Sequence, residues 1–170
     1  MTNRPRVRLV PVTEQLLCAL QADRTRFAAM IGSPAPEGWP EFPEAVGGAL
    51  EHLQTASDDD RPWSMRFFVD DTHGTLIGSG GYAGPPDDRT VEIGYEIAPE
   101  FRGRGLGSSA AQALVDDAVG TGLVDHVIAH TLPGPNPSTG VLASLGFAHV
   151  GEAHDPDAGT VWAWRWSRLA

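Results

Sequence analysis

The chain has 170 residues, 41% of them hydrophobic and 20% charged, ordinary proportions for a globular protein long enough to bury a core in one domain. Its 22 acidic residues face 12 arginines and no lysine, a formal net charge of −10, so its field repels nucleic acid and anionic lipid and excludes both as general partners. No apolar run reaches the length of a membrane span, MTNRPRVRLV lacks the apolar core of a signal peptide, and the single Cys18 rules out an internal disulfide; together these predict a cytoplasmic protein. The acidic surface reads first as a solubility device and second as an attraction for a cationic acceptor such as an amine. Abundant Ala, Gly, Pro and Arg without lysine fits codon bias in a GC-rich bacterium.

Arg6 to Val10 alternates and predicts a first strand. Thr13 caps a helix carrying Leu16, Leu17 and Leu20, in which Cys18 is expected as a buried structural thiol. A second helical piece holds Phe27 to Ile31. Ser33 to Pro43 carries prolines at 34, 36, 40 and 43, a density that no regular element survives, so it reads as a loop. Glu44 to Gln54 resumes as a helix with Val46, Leu50 and Leu53 on one side. Strands are predicted at Trp63 to Val69 and Thr75 to Tyr82, joined by the hairpin signal Asp70-Asp71-Thr72-His73-Gly74.

From Val91 the chain alternates again, with Val91, Ile93, Tyr95 and Ile97 on one face and Glu92 and Glu96 on the other. It breaks at Pro99 and runs into Arg102-Gly103-Arg104-Gly105-Leu106-Gly107. Ala110, Ala111, Leu114, Val115, Ala118 and Val119 then recur at helical spacing, ending near Gly120 or Gly122. Asp125 to Thr131 predicts a strand. Asn136 and Pro137 open a short helix that stops at Gly146. Phe147 to Glu152 and Thr160 to Trp166 close the sheet, the last with Trp162, Trp164 and Trp166 on one face for core packing or a dimer contact. Short turns between most neighbouring strands predict an α/β order with a mainly antiparallel sheet, in one domain over residues 1–170. The six histidines show no metal-ligand spacing, and no metal site is expected.

A glycine-rich turn between a strand and a helix leaves backbone N–H groups aimed outward at the positive end of the helix dipole, a place that binds phosphate. The two arginines, Arg102 and Arg104, add positive charge. A Walker loop needs Gly-Lys, and the chain has no lysine. A dinucleotide-binding fingerprint needs a third glycine where Ser108 stands, and Gly78-Ser79-Gly80 with Ala83 runs into Pro85-Pro86 instead of a helix. The pattern Arg/Gln-x-x-Gly-x-Gly/Ala is filled by Arg102, Gly105 and Gly107.

On these residues, on EIGYEIAPEFRGRG ahead of the helix and on NPSTGVLASLGF from Asn136 to Phe147, the chain resembles the GNAT superfamily of acetyltransferases. It is most similar to the branch of the ribosomal-protein N-terminal acetyltransferases. The resemblance implies an α/β (α+β) domain with a six- to seven-stranded sheet, a V-shaped splay in its middle and about four helices on both faces. It implies acetyl-CoA as acyl donor, its pyrophosphate held by Arg102, Gly103, Arg104, Gly105, Leu106, Gly107 and Ser108. The pantetheine arm would pair with the splayed backbone at Ile97 and Ala98, and Asn136 would contact the arm; a plain helix cap is the rival role for Asn136. Glu92 is the first candidate for general base, with Glu96 in reserve; a solvated strand carboxylate paired with a cation is the plainer alternative. The family pattern Asn-x-x-Ser-x-x-Val-Leu is one residue shorter here, so Ser138 or Thr139 takes the serine's role of protonating the leaving sulfur.

The resemblance also implies that the acceptor, a peptide α-amine or a small-molecule amine, enters between Ser33 to Pro43 and the loop Ala153 to Gly159. A module of the same fold that binds acyl-CoA without catalysis is the alternative from another class.

Overall fold

Why these segments fold as they do is visible at their ends in the computed structural model, which describes residues 3–170. After strand β1 (Val7–Pro11), helix α1 (Glu14–Ala22) starts where Thr13 accepts the N–H of Leu16 at 3.1 Å. Asp23 ends α1 and caps α2 (Arg24–Ile31) by accepting the N–H of Arg26, and Gly32 closes α2 in the left-handed conformation. Among the described residues there are five α-helices, the first two being the separate pieces expected after Thr13 and over Phe27 to Ile31. Helix α3 (Pro43–Thr55) begins on the last proline of the expected loop, because a fixed φ and a missing N–H suit a first helical position. Cys18 is exposed, contrary to expectation; the buried stripe of α1 runs through Leu17 and Leu20 and turns residue 18 outward.

Strands β2 (Met65–Asp70) and β3 (Thr75–Tyr82) form the expected hairpin, with Trp63 and Ser64 left outside β2. Strand β4 (Thr90–Ile97) leads through a short 3₁₀ turn, Pro99–Phe101, into helix α4 (Leu106–Gly120). Strand β5 (His126–Thr131), helix α5 (Pro137–Ser144) and strands β6 (Ala148–Asp155) and β7 (Gly159–Ser167) complete the chain. Strand β6 is longer than predicted, so the expected acceptor loop shrinks to residues 156–158.

The seven strands form one sheet in the order β1-β2-β3-β4-β5-β7-β6. All neighbours are antiparallel except β4 and β5, which the α4 crossover makes parallel. Helices α1 to α3 cover one face around Leu17, Phe27, Trp39 and Phe67. Helix α4 and Leu142 of α5 cover the other around Ile93, Ile97, Leu114 and Val127. Trp164 is buried in that second core and donates to Thr131 Oγ1 at 3.0 Å, while Trp162 and Trp166 pack at its border. At the outer edge the register of β6 slips around Val150, a bulge that interrupts an exposed edge strand. Among the described residues no helix is long and apolar enough to cross a membrane.

Glycines keep β3 close to its neighbours. A Cβ on Gly78 would meet Glu96 O at 2.1 Å, one on Gly80 would meet Gly94 O at 2.4 Å, and one on Gly81 would meet Ser64 O at 2.5 Å. The Gly78-Ser79-Gly80 sequence is therefore a packing device of the strand.

Candidate active site

Strands β4 and β5 run together only over Thr90–Glu92 and His126–Ile128. Beyond that, β4 stays with β3 as far as Ile97, and β5 stays with β7 as far as Thr131. The sheet thus opens as a V whose β4 arm begins at Ile93. Ala83 donates to Glu92 O and Ala98 donates to Ile77 O, so alternation along the ladder turns the N–H and C=O of Tyr95 and Ile97 into the opening. Ala98 departs from its expected role: its N–H goes to β3 and its carbonyl accepts the N–H of Phe101 at 3.0 Å. Of the two expected arm contacts, the structure turns Ile97 alone towards the V.

The glycine turn lies just past that arm. Gly103 and Gly105 have φ of +75° and +77°, which only glycine adopts without strain. Gly105 caps α4 with no side-chain bond. Among the described residues, none of the N–H groups of Gly103, Arg104, Gly105, Leu106, Gly107 and Ser108 has an acceptor. Successive unpaired amides on a left-handed turn at a helix start form an anion cradle. Gly107 needs no glycine for space, since a Cβ would rest 3.7 Å from Ile97 and Val141. The arginines divide in a way the sequence did not reveal. Arg102 turns its side chain away from the cradle: its Nε donates to Ile97 O at 2.8 Å and its Nη2 pairs with Glu41 at 3.0 Å. Arg104 lies over the Phe101 ring and pairs with no carboxylate among the described residues.

Across the V, α5 begins with a reciprocal cap. Asn136 Oδ1 accepts the N–H of Thr139, and Thr139 Oγ1 accepts the N–H of Asn136, both at 3.0 Å. The two amide hydrogens of Asn136 go to the carbonyls of Leu132 and Gly134. Asn136 and buried Thr139 therefore shape the β5–α5 loop, which leaves Ser138 as the available hydroxyl. Ser138 sits beside the Tyr95 hydroxyl, a buried atom with no hydrogen-bond partner. Burial pushes the Tyr95 phenol up to about 12, with Ser138 acting weakly the other way, so Tyr95 stays protonated at neutral pH.

The opposite face of the V holds a cavity of about 610 Å³ lined by α3, β3, β4 and residues 40 and 42. Glu92, Gly94 and Glu96 form its β4 wall, and a Cβ on Gly94 would meet nothing within 4 Å. Glu92 Oε1 is hydrogen-bonded to His130 Nδ1 at 2.8 Å. Glu96 Oε1 accepts the N–H of Glu41 at 3.2 Å, while its buried Oε2 has no partner. Burial raises the Glu96 carboxyl above the ordinary range, only partly offset by the amides of Glu41 and Phe42 and by the charge of Arg102. The proline-rich loop is pinned over this face. Arg24 donates to the carbonyls of Trp39 and Pro36, and Trp39 Nε1 donates to Ser79 Oγ at 3.0 Å.

Sequence reasoning missed His130, the Glu41–Arg102–Glu96 linkage and the Tyr95–Ser138 contact. Each joins residues far apart in the chain. The alternation that puts His126 and His130 on one side of β5 was the only signal present.

The acetyltransferase (GNAT) domain family matches residues 6–148, well over half of the chain. Among solved structures the chain is similar to RimL, a ribosomal L7/L12 alpha-N-protein acetyltransferase in complex with coenzyme A, at 18% identity and TM-score 0.68 over 96% of this chain and 94% of that one. It is also similar to the ribosomal-protein-S5-alanine acetyltransferase from Vibrio fischeri (17% identity, TM-score 0.64, 99% and 95% covered). A third is the microcin C7 self-immunity acetyltransferase MccE in complex with acetyl-CoA and AMP (15% identity, TM-score 0.66, 95% and 92% covered). At such identities the likeness is one of fold. The family match runs from the first strand through the glycine turn to the cap of α5, and on it the chain belongs to the GNAT family of acetyltransferases.

Proposed function

We propose that this protein is an N-acetyltransferase of one domain, residues 1–170, that moves the acetyl group of acetyl-CoA directly to a primary amine. The carrying observation is the run of N–H groups from Gly103 to Ser108 without acceptors, placed where the V opens. That cradle takes the pyrophosphate, with Arg104 as the nearby uncommitted cation. The Ile97 N–H takes a carbonyl of the arm. The thioester then reaches the V near Gly94, with the acceptor cavity on its far side. A cytoplasmic setting, where thiols stay reduced, goes with this reading.

An amine near neutral pH is protonated and must lose a proton before it attacks. The Glu92–His130 pair lines the cavity at the point of the V and takes that proton. Nitrogen attacks the thioester carbon, the oxyanion forms and the C–S bond breaks. The leaving thiolate takes a proton from Ser138, which regains one from the nitrogen or from solvent. Tyr95, held neutral by burial, lies beside Ser138. No acyl-enzyme is needed, and exposed Cys18 on α1 lies outside the site.

Calorimetric titration with acetyl-CoA tests the cradle. Thiol release over a panel of amines and peptides tests transfer. Absence of binding at millimolar acetyl-CoA overturns the reading.

A further inference from the structure

We infer that the acceptor is an amine carried on an uncharged, apolar body, with no carboxylate, phosphate or sulfate close to the reacting nitrogen. The inference rests on the acetyltransferase reading above and names the substrate class of the same site.

Away from β4 the cavity wall carries Pro40, Phe42, Ala45, Ala49, Trp63 and Met65, with His52, Ser64 and Ser79 among them. Phe42 is 54% exposed at the rim, an aromatic side chain left in water where a ligand would cover it. The two histidines of the wall already have partners, His52 at the carbonyl of Asp60 and His130 at the carboxylate of Glu92. Glu92 and Glu96 line the wall, whereas no arginine does, and the sequence has no lysine to offer. Two arginines that adjoin lining residues are committed elsewhere. Arg102 is on Ile97 O and Glu41, and Arg66 is on the carbonyls of Pro62, Ser64 and Met65. An anion entering here loses its water against two carboxyl groups and gains no cation in return.

A single ammonium suits the site better than several. Both carboxyl groups, Glu92 and Glu96, lie on the β4 wall, so a positive nitrogen is favoured on that side alone. A second ammonium would have to lie against the apolar wall. Neutral polar groups remain acceptable, because Ser64 Oγ and Glu96 Oε2 are buried in that wall without partners. Arylalkylamines and the N-termini of peptides that begin with an apolar residue share this chemistry.

The test compares phenethylamine, phenylalaninamide, a peptide amide beginning with phenylalanine, free phenylalanine and spermidine, each with acetyl-CoA. The expected result is turnover of phenylalaninamide with kcat/KM at least about tenfold above phenylalanine and spermidine. The phenethylamine and peptide arms tell a small amine from a polypeptide. Equal turnover of phenylalanine, or preference for it, overturns the inference. Turnover of no member also overturns it. In that case an acetyl-CoA titration separates the failures: binding retained removes only the acceptor class, and binding absent removes the acetyltransferase reading as well. Ala45→Arg, at an exposed wall position, adds the missing cation and is expected to shift preference towards phenylalanine by at least about fivefold. An unchanged preference overturns the electrostatic basis.

Discussion

Glu92 Oε1 and His130 Nδ1 lie 2.8 Å apart although their strands have already parted. The last paired residue opposite Glu92 is Ile128, so His130 reaches back from the β5 arm to the β4 arm across the base of the V. A carboxylate can only accept, so beside a neutral imidazole ring the shared proton sits on Nδ1 and Nε2 carries the open lone pair.

If the two residues act as one base, Glu92→Gln and His130→Gln should each lower kcat between about a hundredfold and a thousandfold. Affinity for acetyl-CoA should be unchanged in both. The double variant should be little worse than the weaker single, as for groups that work as a unit. Losses that multiply in steady-state kinetics would show that the pair is not a unit.

Gly105→Val forces a β-branched side chain into a left-handed turn at a cost of about 1–2 kcal/mol and misaligns the amides that follow. Calorimetry should show acetyl-CoA affinity falling by at least about tenfold. Gly107→Ala should leave that affinity within about threefold, because the added methyl finds ordinary contact distances. Equal damage from both would remove the geometric argument for the cradle.

The arginines should separate by readout. Arg104→Ala should weaken acetyl-CoA binding by about threefold to tenfold, most clearly at low salt. Arg102→Ala should act mainly through KM for the acceptor, since it frees Glu41 and the loop that Glu41 ties to Glu96. Measured with one acceptor and one salt series, the two variants should not resemble each other.

Ser138→Ala should reduce kcat by about tenfold or more without changing thermal stability. Thr139→Ala should do the reverse and cost about 1–2 kcal/mol, because it removes one half of the cap of α5. Thermal melts and kinetics on the same preparations decide between the hydroxyls.

Glu96 binds its proton more tightly in the folded chain than in the unfolded one. Its contribution to stability is therefore greatest below about pH 4, where both states are protonated. It declines as pH rises through the elevated folded value. Glu96→Gln should melt at the wild-type temperature near pH 4 and above it at pH 7. A variant less stable at pH 7 would mean that the bond from Glu41 outweighs burial.

Most elements were legible because their signals are local. Thr13, Asn136 and Pro137 mark helix starts, and alternation marks β1 and β4. The glycine turn was legible because no other residue fits its φ values. Arg102 misled because its spacing places it in the turn while its side chain reaches backwards to Ile97 and sideways to Glu41. Ala98 misled by one residue of parity, which alternation converts into the opposite edge of the strand. His130 was invisible as a partner of Glu92 because a parallel pair across a helix crossover has no register in the sequence. The tight part of the acceptor side came from β3 glycines, which read as a failed nucleotide motif.

Those glycines govern a dimension they never touch chemically. Any side chain at position 78, 80 or 81 would put its Cβ 2.1 to 2.5 Å from a backbone oxygen of β4 or of Ser64 and push that backbone away, and the gap between the two arms would narrow or skew with it. A saturation screen for activity should rank these three sites beside the catalytic ones while leaving their neighbours permissive, and its map would point to a strand that lines the acceptor cavity yet offers no side chain there at these positions. The gauge of the opening is thus fixed by atoms that are missing, one strand away from where the reaction occurs.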